Sequence, residues 1–186
     1  MRMDSLTGYI RFLSLTFAGL FAGFVNGVLV FELSLRNHGG SVYTQVRQIE
    51  LDRLDILASV TLIPALVTTA ILVALAVRGR GRAFWLTAAA LVLLVAVFVT
   101  TLIVNLPING VQVGWSVTAP PVDWADIRDR WQIAHAVRTV AAVLAFVLLV
   151  AATVVNAKQS FLHRHLLDGS QADHSAPARA YEGGRR

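Results

Sequence analysis

Four residues in the last third of this chain place chemistry on a single helix face. Arg128, Trp131, His135 and Arg138 stand at i, i+3, i+7 and i+10, a spacing that aligns all four along an α-helix while Arg130 points elsewhere. An imidazole can move a proton and a guanidinium can stabilise an oxyanion, so the stripe could serve acid–base chemistry. Just upstream, Asn105 and Asn109 flank Pro107, whose ring is expected to end a helix and free backbone groups that need partners. Carboxylates able to answer the arginines stand at Glu32 and Glu50, the latter sharing a face with Arg47 and Leu54. Gln48, Asp52 and Asp55 share another face of the same stretch. Glu32, Glu50, Asn105, Asn109, Arg128, His135 and Arg138 are expected to converge from all four helices on one cavity.

The elements that must position these groups are apolar. Of 186 residues 56% are hydrophobic and only 15% are charged, against roughly 25% charged in soluble domains. Four apolar runs, 12–31, 56–77, 83–106 and 139–157, each approach the ~20 residues that cross a bilayer core. They lack the polar stripe of a soluble amphipathic helix. The fold class predicted is all-α: a four-helix transmembrane bundle over residues 1–158, followed by a polar tail, 159–186. The first run is read as a retained helix, because Phe31-Glu32-Leu33-Ser34 is not a signal-peptidase site.

Ten Arg and Lys residues flank the runs on the side of the termini and six on the other. The positive-inside rule then puts both termini in the cytoplasm, the plasma membrane being the expected location. The polar site falls on the opposite face. Residues 78–82 form a tight hairpin, whereas 33–55 and 107–138 are long connections, the second a structured outer loop. Asp123 is a plausible N-cap for a helix starting near Trp124. Phe161, Leu162, Leu166 and Leu167 suit a helix on the membrane surface, with disorder expected after about residue 168. Asn26, deep in the first run, is expected to make a helix–helix hydrogen bond.

Several chemistries are excluded by composition. The chain has no cysteine, and its methionines are Met1 and Met3. That removes thiolate catalysis, iron–sulfur clusters, disulfide exchange and a thioether copper site within the bundle. One bundle histidine cannot make a bis-histidine haem. The net charge of +5 comes from arginines beside apolar runs, which points to a bilayer and away from nucleic acid. Whether any cofactor is used stays open; a metal held by His135 with Glu32 or Glu50 is an alternative.

The run Asn105-Leu-Pro-Ile-Asn109, then Trp115, Pro121-Val-Asp-Trp124 and Arg130-Trp131-x-x-x-His135-x-x-Arg138-Thr139, resembles the DUF1772 family of small four-helix membrane proteins, which includes the anthrone oxygenases of polyketide pathways. Tyr43 to Pro64 is a looser match. The resemblance implies an oxidoreductase that converts an anthrone-like, hydrophobic phenolic compound to a quinone with dioxygen, without a classical redox cofactor. On that reading His135, Glu50, Asn109 and Arg138 are the catalytic groups, with His135 the base and Arg128 or Arg138 with the two asparagines holding the oxyanion. Asn105, Arg128, Glu32, Trp115, Trp124 and Trp131 then bind substrate, the three tryptophans stacking on its rings. The competing reading is a non-catalytic membrane accessory or scaffold protein, in which the same charges close into salt bridges without a cavity. Oligomeric state is not legible.

Overall fold

In the computed structural model, backbone is described for residues 2–174 and side chains for residues 5–159. The chain folds into four long rods. Helix α1 spans Arg2–Ser34 and passes through a 3-10 turn, Leu35–Asn37, into α2, Gly40–Ala76. The third rod is compound: α3, Arg82–Thr100, then a π-turn, Thr101–Asn105, then α4, Leu106–Val113. Helix α5 runs from Trp124 to His174. Neighbours alternate in direction, with α1 packed on α2 and α5, and α3 packed on α2 and α5.

The four candidate membrane spans are 33, 37, 32 and 36 residues long, well beyond the ~20 that hydrocarbon requires. The chain is thus a multi-pass membrane protein whose helices project past the apolar zone. Outward faces carry large apolar side chains at helical spacing, such as Val60, Ile63, Val67 and Ile71 on α2. The interior seam is built from small residues, among them Ala18, Ala22, Ala65, Ala90, Ala142 and Ala145, each almost fully buried. Lipid gives no hydrophobic drive between helices, and small residues let the backbones approach closely enough for dispersion to hold them. Asn26 faces outward on α1, so the helix–helix hydrogen bond expected of it is not made inside the bundle.

Several boundaries differ from those the sequence led us to expect, among them the long connection 33–55, which is reduced to residues 35–39 because α2 already starts at Gly40. Pro107 does not end the third rod. The π-turn widens the helix just before it, and the Leu106 N–H reaches back to the Thr101 carbonyl. Pro107 then falls in the first turn of α4, where its missing N–H costs little. The long outer loop accordingly shrinks to residues 114–123, because α4 and the first turns of α5 occupy most of 107–138. Helix α5 starts at Trp124, immediately after Asp123, as expected. It continues through the stretch expected to lie on the membrane surface and past Gly169 to His174; the rest of the tail expected to be disordered lies outside the described residues.

The short loop is pinned from both sides. Gln48 Nε2 donates to the Trp115 carbonyl at 2.7 Å. Tyr43 packs against Trp115 and Trp124, at 6.4 and 5.7 Å between ring centroids. Gly40 lies so close to Trp124 that a Cβ there would sit 2.9 Å from the indole, whereas Gly110 faces open space. Gly40→Val should therefore destabilise the protein by about 1–3 kcal/mol through overpacking, and Gly110→Ala should stabilise it by about 0.4–1 kcal/mol. Thermal unfolding in detergent, with Trp fluorescence as readout, distinguishes the two.

Candidate active site

At the end of the bundle away from the termini, one arginine gathers three rods. Arg47 on α2 is buried, with 2% of its surface exposed. Its Nη1 donates to Glu32 Oε1 on α1 at 3.0 Å and to Glu50 Oε2, one turn along α2, at 2.6 Å. Nη2 donates to Asn109 Oδ1 and to Gln112 Oε1 on α4, both at 3.0 Å, and Nε also reaches Gln112 Oε1 at 3.1 Å. The planar fork of donors is what lets one side chain serve both carboxylates and amides. Gln112 passes a hydrogen on to the Tyr43 hydroxyl at 3.1 Å. Helix α5 joins through Gln132, whose Nε2 donates to the Glu32 carbonyl at 2.8 Å and to Glu32 Oε2 at 3.0 Å.

Trp131 and His135 form the second layer. The Trp131 Nε1–H donates to Asn109 Oδ1 at 2.7 Å. The indole lies 4.2 Å from the Arg47 guanidinium carbon and is stacked on His135, with centroids 4.7 Å apart and planes 8° from parallel. The orientation of His135 is set by its partners. Arg138 Nε and Nη2 lie 3.0 and 2.7 Å from His135 Nδ1. A guanidinium only donates, so Nδ1 is the acceptor and the ring hydrogen sits on Nε2. That hydrogen is given to the Val25 carbonyl, 2.9 Å away. Both ring nitrogens are thereby committed. A base at His135 would first have to displace Arg138, and a metal held by His135 with Glu32 or Glu50 would find no free imidazole donor.

The π-turn sets the phase of α4. Along α3 the buried seam runs through Ala83, Thr87, Ala90, Leu94 and Val97, and at the same period it would continue through Val104. One extra residue in the turn rotates the downstream helix by about 100°. The seam passes instead to Asn105, Asn109 and Gln112, all buried. Asn105 Nδ2 donates to the Trp131 carbonyl at 3.4 Å. Arg138 Nη1 reaches Thr101 Oγ1, at the start of the turn, at 3.2 Å.

Two adjoining cavities open beside these groups. The narrow one, about 20 Å³, is bounded by Glu50, Asp55, Asn109, Trp131, His135 and Arg138. It has room for about one water-sized molecule. Glu50 Oε1 is buried there with no hydrogen-bond partner among the described residues. The wider one, about 130 Å³, lies between α2 and the third rod. Asp55, Asn109 and Arg138 form its polar end, and Phe21, Leu62 and Phe98 are among its apolar walls. Ile63, Leu102 and Leu106 on its rim are exposed on the outer, lipid-facing surface.

Of the ten residues expected at the site, Glu32, Glu50, Asn105, Asn109, Trp131, His135 and Arg138 come together in this assembly. The other three do not. Arg128 pairs with Asp129 at 2.9 Å and lies over Trp124 at 4.9 Å, nearer the loop. Trp115 and Trp124 cap the bundle around Tyr43, and neither lines these two cavities. Four participants were not among the expected site residues: Arg47, Asp55, Gln112 and Gln132. Asp55 accepts from Asn109 Nδ2, at 3.2 and 3.3 Å. The sequence signal for it was there, since Asp55 is the last acid before an apolar run on a helix already carrying Glu50.

The family model described as anthrone oxygenase matches residues 56–148, half of the chain. The protein belongs to the anthrone oxygenase family. The family expected from the motifs of the third and fourth rods is thus borne out, and the matched stretch carries Asn105, Asn109, Gln112, Trp131, His135 and Arg138. It begins just after Asp55, so Glu32, Arg47 and Glu50 lie outside it. No curated protein and no solved structure matches this anthrone oxygenase family member at a significant level.

Arg47→Met would leave Glu32 and Glu50 buried without their cation. Its expected cost is about 3–5 kcal/mol of stability. Adding Glu32→Gln to that variant removes one stranded charge and should recover part of the loss. Thermal unfolding of the single and double variants in detergent measures both; additive losses would contradict the assigned pairing.

Proposed function

We propose that the protein oxidises a flat, hydrophobic phenolic compound of the anthrone type with dioxygen, at the polar end of the wider cavity. The observation that carries this reading is Arg138. It is a nearly buried guanidinium whose bonded partners among the described residues, His135 Nδ1 and Thr101 Oγ1, are neutral, and it faces a cavity beside the Asp55 carboxylate. Its counter-charge is the Asp55 carboxylate at the same end of the cavity, and a phenolate oxygen would give the guanidinium an anion to bond directly.

An anthrone methylene is acidic because its conjugate base is an aromatic phenolate. Asp55 takes the proton, held in position by Asn109, and Arg138 stabilises the charge that gathers on oxygen. His135 is a positioning residue: it fixes Arg138 and accepts no proton itself. The anion gives one electron to dioxygen, and the resulting radical pair combines to a carbon–oxygen bond. Loss of the remaining C–H proton with the outer oxygen then leaves a ketone. The balance is one anthrone and one dioxygen to one anthraquinone and one water.

At about 130 Å³ the cavity is smaller than the roughly 300–1,000 Å³ that encloses a drug-sized ligand. A flat ring system entering edge-first would seat its reacting ring there, with the rest among lipid chains beside Ile63 and Leu102. The closed pairing of Arg47 with Glu32 and Glu50 is what an accessory or scaffold protein would show, but the Asp55–Arg138 side is open.

Oxygen uptake by purified protein with an anthrone tests the reading. Asp55→Asn and Arg138→Gln should each lower the rate about a hundred-fold or more. Asp52→Asn, at an exposed side chain paired with Arg53, should leave it unchanged. Equal rates in all four proteins would refute the assignment.

A further inference from the structure

The opposite end of the bundle holds a crevice that the proposed chemistry does not use. It encloses about 330 Å³ between α1, α2, α3 and α5, a volume in the range of small-molecule sites. Arg11 on α1 is half-buried at its wall. Among the described residues no Asp or Glu lines the crevice. Leu72, Leu75 and Phe84 make the apolar side. A smaller void, about 10 Å³, continues inward from Arg11 past Ser14 and Thr87. The Ser14 hydroxyl is not waiting for a ligand, since it is bonded to Thr69 at 2.8 Å.

Among the described residues no carboxylate faces Arg11, and a cation part-way into an apolar wall is costly near a bilayer unless it finds a counter-charge. The three arginines of the adjoining loop, Arg78, Arg80 and Arg82, are exposed and of the same sign, so they raise the positive potential at the mouth. An occupant that satisfies both surfaces carries a negative oxygen group for Arg11 and a hydrocarbon portion for Leu72, Leu75 and Phe84. We propose that this crevice binds one anionic amphiphile, a phosphate-bearing lipid whose headgroup pairs with Arg11 and whose chain lies along α2 and α3. The negative oxygen could also belong to free phosphate, but the apolar wall would then go unused.

Full-length protein purified in neutral detergent provides the test, read by native mass spectrometry and thermal unfolding. Phosphatidylglycerol, phosphatidylcholine and inorganic phosphate are added separately. The expected result is one tightly held phosphatidylglycerol per protein and a raised unfolding midpoint, with neither effect from the other two. Arg11→Gln should weaken binding at least about ten-fold, the size of one charge-assisted hydrogen bond, and Arg11→Lys should retain most of it. Leu75→Glu keeps Arg11 and sits at an exposed position; its carboxylate should repel the headgroup and weaken binding too. Arg53→Gln, at the other end of α2, should change nothing. Equal stabilisation by inorganic phosphate or phosphatidylcholine overturns the proposal, as does undiminished binding in both Arg11→Gln and Leu75→Glu.

Discussion

A buried guanidinium is costly to leave without acceptors, and the polar end of this bundle is arranged around that constraint on Arg47. Removing a charge from water costs several kcal/mol unless good geometry and further hydrogen bonds replace the lost hydration. Five acceptor contacts to four residues do so. Those residues come from α1, α2 and α4, and Trp131 of α5 adds its ring face. All four rods must therefore extend past the apolar zone and meet at one level. The π-turn belongs to the same requirement, because without its extra residue the amides of Asn109 and Gln112 would rotate off the seam.

The arrangement divides the charged groups by task. Arg47 is closed: both its carboxylates and its amides point at it, and its role is to hold the rods. Arg138 is open. His135 and Thr101 orient it without neutralising it, and the cavity lies in front. On the proposed function, anchoring falls to Arg47 and chemistry to Arg138, only a few ångströms of packed aromatic apart, with Trp131 touching both. A rigid closed network next to a cation with no anion bonded to it among the described residues is the arrangement that pre-organised stabilisation of a developing oxyanion requires.

The fold was legible because lipid imposes the simplest rule on sequence: runs of about 20 apolar residues become spanning helices. The stripe from Arg128 to Arg138 was legible for a similar reason, helical spacing being enough to place side chains on one face. Partnership was not. Glu50 and Arg47 share a face of α2, but nothing in the spacing says that Arg47, rather than Arg138, would claim both carboxylates. Pro107 was misread because the rule for proline in an α-helix ignores the π-turn that accommodates it, and no single residue in Thr101–Asn105 announces such a turn. Arg47, Arg128 and Arg138 are also three of the six cations that flank the apolar runs on the side away from the termini. All three are buried, which leaves Arg36, Arg53 and Arg130 as the flanking cations of that face.

The claim on which the account rests is that dioxygen is a substrate of this protein and not merely an oxidant of its product. The most direct measurement is turnover of an anthrone under dioxygen made of heavy oxygen, in ordinary water, with the product examined by mass spectrometry. One heavy oxygen atom is expected in each quinone formed, at a rate proportional to the protein added. Quinone carrying only ordinary oxygen, or heavy-oxygen product formed no faster than without the protein, would contradict it.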